Sequence, residues 1–187
     1  MNLVLEGKEH LDILTKTGTS QALNAAKVLG KIKFDKIICG TKKRAKDTLK
    51  PLLKYQRYSV CYTPLVNEQE MGDLEFVSKK TWKKEVEKSE LPEKEFRPKN
   101  GENRRDAYFR AKKFYNVLAK QKLKKVLVVS HSGFISDLMG LLLKSPLKEN
   151  FKIKVDFCEI IYLNLRRDVF KHILVKDIKR YKESKKR

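Results

Sequence analysis

The stretch VLVVSHSGFISDL, Val126 to Leu138, decides the fold of this chain. A run of branched apolar residues ends at Ser130, and after His131 and a glycine a new apolar pattern with helical spacing begins at Phe134. This order predicts a buried strand that turns directly into a helix. In open parallel sheets ligands bind at the carboxyl ends of the strands, which makes His131 a candidate site residue.

Strands and helices continue to alternate on both sides of this stretch. Apolar spacing predicts helices at 19–29, 44–53, 104–120 and 134–143, and strands at 2–5, 34–40, 59–65 and 126–130. The runs CEIIYLNL and VFKHILVKDI, separated by residues 166–168, predict a C-terminal hairpin. We therefore expect a three-layer α/β/α fold, with a mainly parallel sheet, helices on both faces and an antiparallel C-terminal hairpin at its edge.

The length of 187 residues fits one domain, which we expect to span 1–178. The polar, lysine-rich segment 68–100, interrupted by Pro92 and Pro98, is interpreted as an insertion over the pocket, and 179–187 as a mobile basic tail. No run approaches the roughly 18 apolar residues that cross a bilayer, and the first residues do not resemble a signal peptide. These features predict a soluble cytoplasmic protein without a membrane span.

Forty-four Lys and Arg residues against 23 Asp and Glu give a formal net charge of +21. Such a charge favours anionic partners through long-range attraction: phosphorylated metabolites, RNA or an acidic lipid surface. Many of the lysines have the spacing of a solvated helix face, as in Lys79, Lys80, Lys83, Lys84 and Lys88. No nucleic-acid recognition motif accompanies them, so a basic RNA- or anion-binding module is kept as an alternative.

The three cysteines, Cys39, Cys61 and Cys158, lie far apart among apolar neighbours and are predicted to be buried free thiols. Cys39 precedes Arg44 with C-x4-R spacing, one residue shorter than the C-x5-R loop of the cysteine phosphatases. The short loop does not favour a cysteine nucleophile.

Five segments, taken in order, resemble the motifs of the histidine phosphatase superfamily, also called the phosphoglycerate mutase-like family. They are LTKTGTSQALNAAKVL (14–29), FDKIICGTKKRAKDTLKPL (34–52), VNEQEMGDLEF (66–76), GENRRDAYFR (101–110) and VLVVSHSGFISDLM (126–139). The resemblance covers nearly the whole chain. It implies a phosphoglycerate mutase-like fold, a phosphorylated small molecule or phosphoprotein as partner, and no metal or other cofactor.

The same resemblance assigns roles to individual residues. Arg44 matches the phosphate-contacting arginine, Glu68 the proton donor and His131 the second histidine of the family. Arginine forks and imidazolium donors suit a phosphoryl group because its charge is spread over several oxygens. Glu102 and Asn103 are interpreted as caps of the helix that follows them, and His172 as structural.

The nucleophile is where the sequence departs from the family, which carries it in an RHG motif after the first strand. One alignment places Leu5, Glu6 and Gly7 on that motif; the other matches EGKEHLDILT to a later part of the family and leaves the motif out. A glutamate would repel the phosphate that a histidine attracts. His10 could be a displaced nucleophile, although Glu9 and Asp12 indicate a solvated loop.

These observations predict a divergent histidine phosphatase-like protein that binds a phosphate or phosphomonoester and is catalytically impaired. The alternatives are an active metal-independent phosphatase, with an altered nucleophile or a truncated start, and the basic binding module.

Overall fold

The computed structural model describes residues 12–55, 57–75, 77–143, 155–164 and 169–173, with the backbone alone from 163 onward. The helices are α1 (Lys16–Leu29), α2 (Lys43–Leu49), α3 (Lys79–Lys88), α4 (Arg104–Ala119) and α5 (Ser132–Leu142). The strands are β1 (Lys36–Cys39), β2 (Val60–Tyr62), β3 (Val126–Val129), β4 (Ile160–Asn164) and β5 (Val169–Ile173). Short 3-10 helices lie at Leu52–Lys54, Pro64–Val66 and Gly72–Leu74.

The central sheet is parallel and has the order β2-β1-β3. In its register Ile38 pairs with Val128 on one side and with Cys61 on the other. Because β1 is central and both its neighbours run parallel to it, the carboxyl ends of β1 and β3 lie side by side. The loops that follow these two strands, at Gly40 and Ser130, therefore meet at one edge of the sheet.

The alternation of side chains along the strands separates two hydrophobic clusters. One cluster contains Ile37 and Cys39 and packs against the helices α1 and α2, through Ala26, Ala45 and Leu49. The other contains Ile38 and packs against α4 and α5, through Ala111, Phe114, Phe134 and Leu138. Successive residues of a strand point to opposite faces, so helices cover the sheet on both sides and the predicted three-layer α/β fold is confirmed.

Side-chain caps explain where the long helices begin. Thr15 accepts a hydrogen bond from the backbone N–H of Gly18, so α1 starts at Lys16, earlier than predicted. Asn103 and Asp106 form a reciprocal capping box at the start of α4, which confirms the predicted cap at Asn103. Glu102 does not cap the helix; its carboxylate pairs with Arg110 instead.

The segment 68–100 contains more regular structure than its prolines suggested. Ser78 caps α3 by accepting from the backbone N–H of Thr81. Trp82 then packs edge-on against Phe96 with ring centroids 5.2 Å apart, and its indole N–H donates to Glu93. The five lysines of α3 named above are all exposed, as a solvated helix face requires.

A buried ion pair joins α4 to α5. Arg104 donates through Nη1 to Oδ2 of Asp137 at 2.6 Å, and through Nη2 to the other carboxylate oxygen. Asp137 is 0% exposed and Arg104 9%. A charge buried this deeply requires an opposite charge in contact, so each side chain depends on the other.

The C-terminal hairpin consists of β4 and β5, paired antiparallel from Ile160–Ile173 to Asn164–Val169. Among the described residues it forms a sheet of two strands, so the predicted antiparallel hairpin is confirmed, and its position at the edge of the parallel sheet stays a prediction. The predicted first strand at 2–5, the turn at 166–168 and the tail at 179–187 lie outside the described residues. Within the described part of the chain, no helix has the length and apolar character needed to cross a bilayer.

All three cysteines are free, but they are not equally buried. Cys39 lies in the core, Cys158 is half-buried, and Cys61 is exposed, which corrects the prediction that all three are buried. Burial raises the pKa of the Cys39 thiol to about 12, so this side chain stays protonated at neutral pH. It is a core residue in the layer of α1 and α2 and not a nucleophile.

Candidate functional site

The candidate site lies where the loops after β1 and β3 meet. His131 is the N-cap residue of α5, directly after the strand and Ser130, and is only 4% exposed. Ser130 fixes this strand end by donating from its hydroxyl to the backbone oxygen of Val66 at 2.6 Å. The loop after β1 leads through Gly40 into α2, whose first turn carries the buried Arg44.

Arg44 and His131 are in direct contact. The Nε–H of Arg44 donates to Nδ1 of His131 at 3.3 Å. Because Nδ1 accepts this hydrogen bond, the proton of the neutral imidazole lies on Nε2. The contact thus fixes both the orientation of the ring and the atom that carries its proton.

The Nε2 atom of His131 is buried and has no hydrogen-bond partner among the described residues. It lies against Gly40, where an added Cβ would come within 3.3 Å of it, so a larger side chain at 40 would crowd this atom. Burial, and after it the positive charge of Arg44, lowers the pKa of His131 to about 3. The site therefore holds a neutral imidazole whose N–H has no acceptor among the described residues.

Asp12 binds Arg44 from the other side. Its Oδ1 accepts from Nη1 of Arg44 at 2.7 Å, and its Oδ2 accepts from the backbone N–H of Arg44 at 3.4 Å. The side chain of Asp12 is 20% exposed. Its placement in a solvated loop was therefore wrong: Asp12 is a member of the site.

The carboxylate of Glu68 is held at the start of α5, by the backbone of Gly133. Its Oε2 accepts from the backbone N–H of Gly133 at 3.1 Å, and its Oε1 accepts from the N–H of Gln69 at 3.1 Å. A Cβ at position 133 would lie 2.2 Å from Oε1 of Glu68, so a glycine is needed there for the carboxylate to approach. Glu68 is half-buried.

Asn67 fixes the loop after β1 to the segment that carries Glu68. Its Oδ1 accepts from the backbone N–H of Thr41, and its Nδ2 donates to Oγ1 of Thr41, both at 2.8 Å. Asn67 is only 3% exposed, and a Cβ on Gly40 would lie 3.0 Å from its Oδ1. One buried amide thus positions the loop that leads to Arg44.

Arg110 on α4 holds the loop of residues 64–68, which includes Glu68. Its guanidinium donates to both carboxylate oxygens of Glu102, each at 2.8 Å. It also donates to four backbone carbonyls, those of Pro64, Leu65, Asn67 and Glu68. Burial would raise the pKa of Glu102, but the hydrogen bonds and charge of Arg110 outweigh it and keep that pKa below its usual value. The pair therefore remains charged and keeps the Glu68 loop in place.

Lys42 connects the first residues of the segment 68–100 to the loop before α2. Its Nζ lies 2.8 Å from a carboxylate oxygen of Glu70 and 2.9 Å from one of Glu75. Burial alone would lower the pKa of Lys42, but these hydrogen bonds outweigh it and raise that pKa. Residues 70–75 thus pack beside the entrance to α2.

The structure brings together two of the three predicted site residues, Arg44 and His131, and places Glu68 on a neighbouring loop. Glu6 and His10 lie outside the described residues, and for His172 the backbone alone is described, in β5. Among the described residues no three His, Cys, Asp or Glu side chains are grouped as a metal site would require. Asp12, Asn67 and Arg110 were not predicted for the site, because a single polar residue in a loop or helix shows no periodicity that marks its partner.

Comparison with known proteins supplies the context for this geometry. Residues 4–178 match the model of the family described as the histidine phosphatase superfamily (branch 1). The adenosylcobalamin/alpha-ribazole phosphatase of Escherichia coli (strain K12) is 29% identical over 148 residues, which are 76% of this chain and 73% of that protein.

Solved structures show the same fold. The alpha-ribazole phosphatase of Shigella flexneri has a TM-score of 0.73 at 25% identity, over 86% of this chain and 82% of that chain. A mycobacterial glucosyl-3-phosphoglycerate phosphatase has a TM-score of 0.68 at 21% identity, over 87% of this chain and 85% of that chain. The second likeness concerns the fold alone.

Proposed function

Because the chain belongs to the histidine phosphatase superfamily (branch 1), we propose that its Arg44–His131 site binds the phosphoryl group of a phosphomonoester and turns it over poorly or not at all. The observation that carries the proposal is the buried imidazole of His131, whose Nδ1 is fixed by Arg44 and whose Nε2 has no partner among the described residues. Burying a polar N–H without an acceptor is costly, and an anionic ligand oxygen would remove that cost.

The electrostatics of the site favour an anion in the same place. The guanidinium of Arg44 is permanently charged, and His131 is neutral mainly because it is buried next to that charge. A phosphate dianion beside Nε2 would raise the pKa of His131, and a proton bound at Nδ1 would then replace the hydrogen bond that Arg44 donates there. Binding would thus create a second positive charge against the phosphate.

Glu68 is proposed to lie beside the ester oxygen of the ligand, in the position of a proton donor. Its carboxylate is held by the backbone N–H of Gly133, which fixes it near the first turn of α5. Proton donation to a leaving group requires a carboxyl group within hydrogen-bond reach of that oxygen. The contacts of Arg110 to the loop supply the required rigidity.

Impairment is proposed because no Arg-His-Gly sequence occurs in these 187 residues. The histidines are His10, His131 and His172. Arg44 donates to Nδ1 of His131, which leaves the ring proton on Nε2. A lone pair on Nε2 would be needed for attack on phosphorus, and in this tautomer Nε2 carries the proton instead. The alternative is an active phosphatase that uses another nucleophile, with His10 as a candidate.

The proposed ligand is a phosphorylated small molecule, as the names of the alpha-ribazole phosphatases suggest for those relatives. A phosphoprotein would present the same phosphoryl group. We place the protein in the cytoplasm, where free thiols such as that of the exposed Cys61 persist. We also propose one domain over 1–178, with the segment 68–100 beside the pocket, as the contacts of Lys42 to Glu70 and Glu75 support.

The test combines turnover with binding. Hydrolysis of an aryl phosphate is followed from pH 4 to 8 in metal-free buffer, and phosphate binding is measured by calorimetry, for the parent, His131→Asn and Arg44→Gln. We expect little or no turnover, phosphate binding by the parent, and at least tenfold weaker binding by both variants. Turnover that both substitutions abolish would establish the active-enzyme alternative. Phosphate binding that neither substitution weakens would overturn the proposal.

The basic-module alternative predicts a different result. Binding through many surface lysines depends steeply on salt and is indifferent to His131 and Arg44. Titration of a single-stranded RNA oligonucleotide at 50 and 200 mM salt, with the parent and His131→Asn, distinguishes the two classes. We expect little RNA binding at 200 mM salt, whereas strong binding that falls steeply from 50 to 200 mM salt and is equal in both proteins would favour the basic module.

A further inference from the structure

Asp12 occupies the part of Arg44 that an anionic ligand would use. Its carboxylate accepts from Nη1 and from the backbone N–H of Arg44, while the Nε of Arg44 donates to His131. Two of these contacts, at Nη1 and Nε, place a carboxylate and an imidazole on the same guanidinium. A carboxylate and a phosphoryl group offer the same kind of partner to an arginine: anionic oxygens spaced to accept parallel N–H bonds.

The ion pair between Asp12 and Arg44 is largely shielded from solvent. Arg44 is 8% exposed at its side chain and Asp12 20%, so solvent weakens the attraction less than it does at a free surface. The carboxylate is also attached to the chain, and an attached group competes at a high effective concentration, in the millimolar range for short tethers. A ligand that offers charge alone competes poorly with it.

We propose that Asp12 acts as an internal competitor for the phosphoryl site. The inference rests on the proposed function: a ligand must displace the Asp12 carboxylate from Arg44 before its phosphoryl group can contact both Arg44 and His131. Inorganic phosphate brings no contact beyond those of the phosphoryl group itself. A phosphomonoester brings an organic group as well, and its extra contacts can offset the displaced ion pair. Asp12 thus sets the binding energy that any ligand must exceed to occupy the site.

The position of Asp12 in the fold allows this exchange. It lies in the non-helical residues that precede α1, ahead of the cap at Thr15, whereas Arg44 is in the first turn of α2. Releasing the carboxylate requires rotation of the Asp12 side chain and leaves the capped start of α1 intact. The anion on Arg44 can therefore change without any change in the packing of α1 and α2.

The test measures the affinity for inorganic phosphate by calorimetry in the parent and in Asp12→Asn. Asn removes the charge and keeps the shape, so we expect a Kd about tenfold lower, which corresponds to about 1.4 kcal/mol. Asp47→Asn is the matched control, because it changes the net charge equally but removes a partner of Lys43 instead of Arg44. We expect it to change the Kd by less than about twofold, in line with an exposed ion pair.

A second variant, Asp12→Ala, tests the competition without relying on the side chain of Asn. Asp12→Ala leaves space beside Arg44, and added acetate should then occupy it and compete with phosphate. We expect acetate at 50 mM to weaken phosphate binding by Asp12→Ala at least threefold more than it weakens binding by the parent. Thermal unfolding of each variant confirms that it is folded.

The outcomes separate this inference from the proposed function. Equal or weaker phosphate binding by Asp12→Asn, with binding still lost in Arg44→Gln, would overturn the role of Asp12 and leave the phosphoryl site standing. If neither the parent, Asp12→Asn nor Asp12→Ala binds phosphate, the site itself is wrong and the inference falls with it. Tighter binding by Asp47→Asn as well would reduce the effect to net charge and also overturn it.

Discussion

The buried imidazole of His131 makes the stability of this protein depend on pH in a defined window. The perturbation is acidification of the parent beside His131→Asn, whose Oδ1 can accept the Arg44 hydrogen bond that Nδ1 accepts now. The pKa of His131 is about 3 in the fold, against 6.5 as its ordinary value. Between these two values the unfolded chain binds a proton at this residue and the native chain does not.

The sign and size of the effect follow from that difference. Stability from the neutral imidazole is fully present above pH 6.5 and is lost as the pH falls through the window from 6.5 towards 3. Each unit of pH within the window is worth about 1.4 kcal/mol. At pH 4.5 the parent should therefore have lost about 3 kcal/mol that His131→Asn does not lose.

The assay is urea unfolding of both proteins at pH 7.5, 6.5, 5.5 and 4.5, with the difference in unfolding free energy plotted against pH. A constant offset caused by the substitution does not affect the slope of this difference. The pH dependence contributed by carboxylates that both proteins share cancels in the difference. Parallel curves below pH 6.5 would refute the burial of a neutral His131. Saturating phosphate should flatten the slope of the parent, because an anion beside Nε2 favours the imidazolium form.

Three further predictions concern the frame of the site. Replacing Arg104 by Met or Asp137 by Leu should each cost about 3–5 kcal/mol in urea unfolding, because the charge left behind is buried, and the double variant should recover most of that loss; additive losses would contradict this. Replacing Arg110 by Gln should speed amide hydrogen exchange in residues 64–68 at least tenfold more than in α1, since four of its carbonyl acceptors lie in that loop; uniform acceleration would argue for a global effect. In the native protein at pH 8, iodoacetamide should modify the exposed Cys61 and spare Cys39, whose thiol has a pKa of about 12; mass spectrometry of peptides decides this.

Much of the fold and part of the site follow from local sequence. The apolar run before His131 and the helical pattern after it predict a strand that ends in a helix, and both are present as β3 and α5. The segment around Arg44 repeats this order with β1 and α2. Since parallel strands end at one edge of a sheet, the approach of Arg44 to His131 was predictable. The α3 helix was indicated only by the spacing of its lysines, because its ten residues contain few apolar side chains to mark a buried face.

The sequence by itself determined which side chains face the two hydrophobic layers and where the strands end, because side-chain period and local turns are properties of neighbouring residues. Only the tertiary structure decided that Asp12 lies on Arg44, that Asn67 holds Thr41 and that Arg110 holds the Glu68 loop. Each of these contacts joins residues 26 to 42 positions apart. A single polar pair over such a distance leaves no period in the sequence, so the partner is chosen only when the packed layers bring the two groups together.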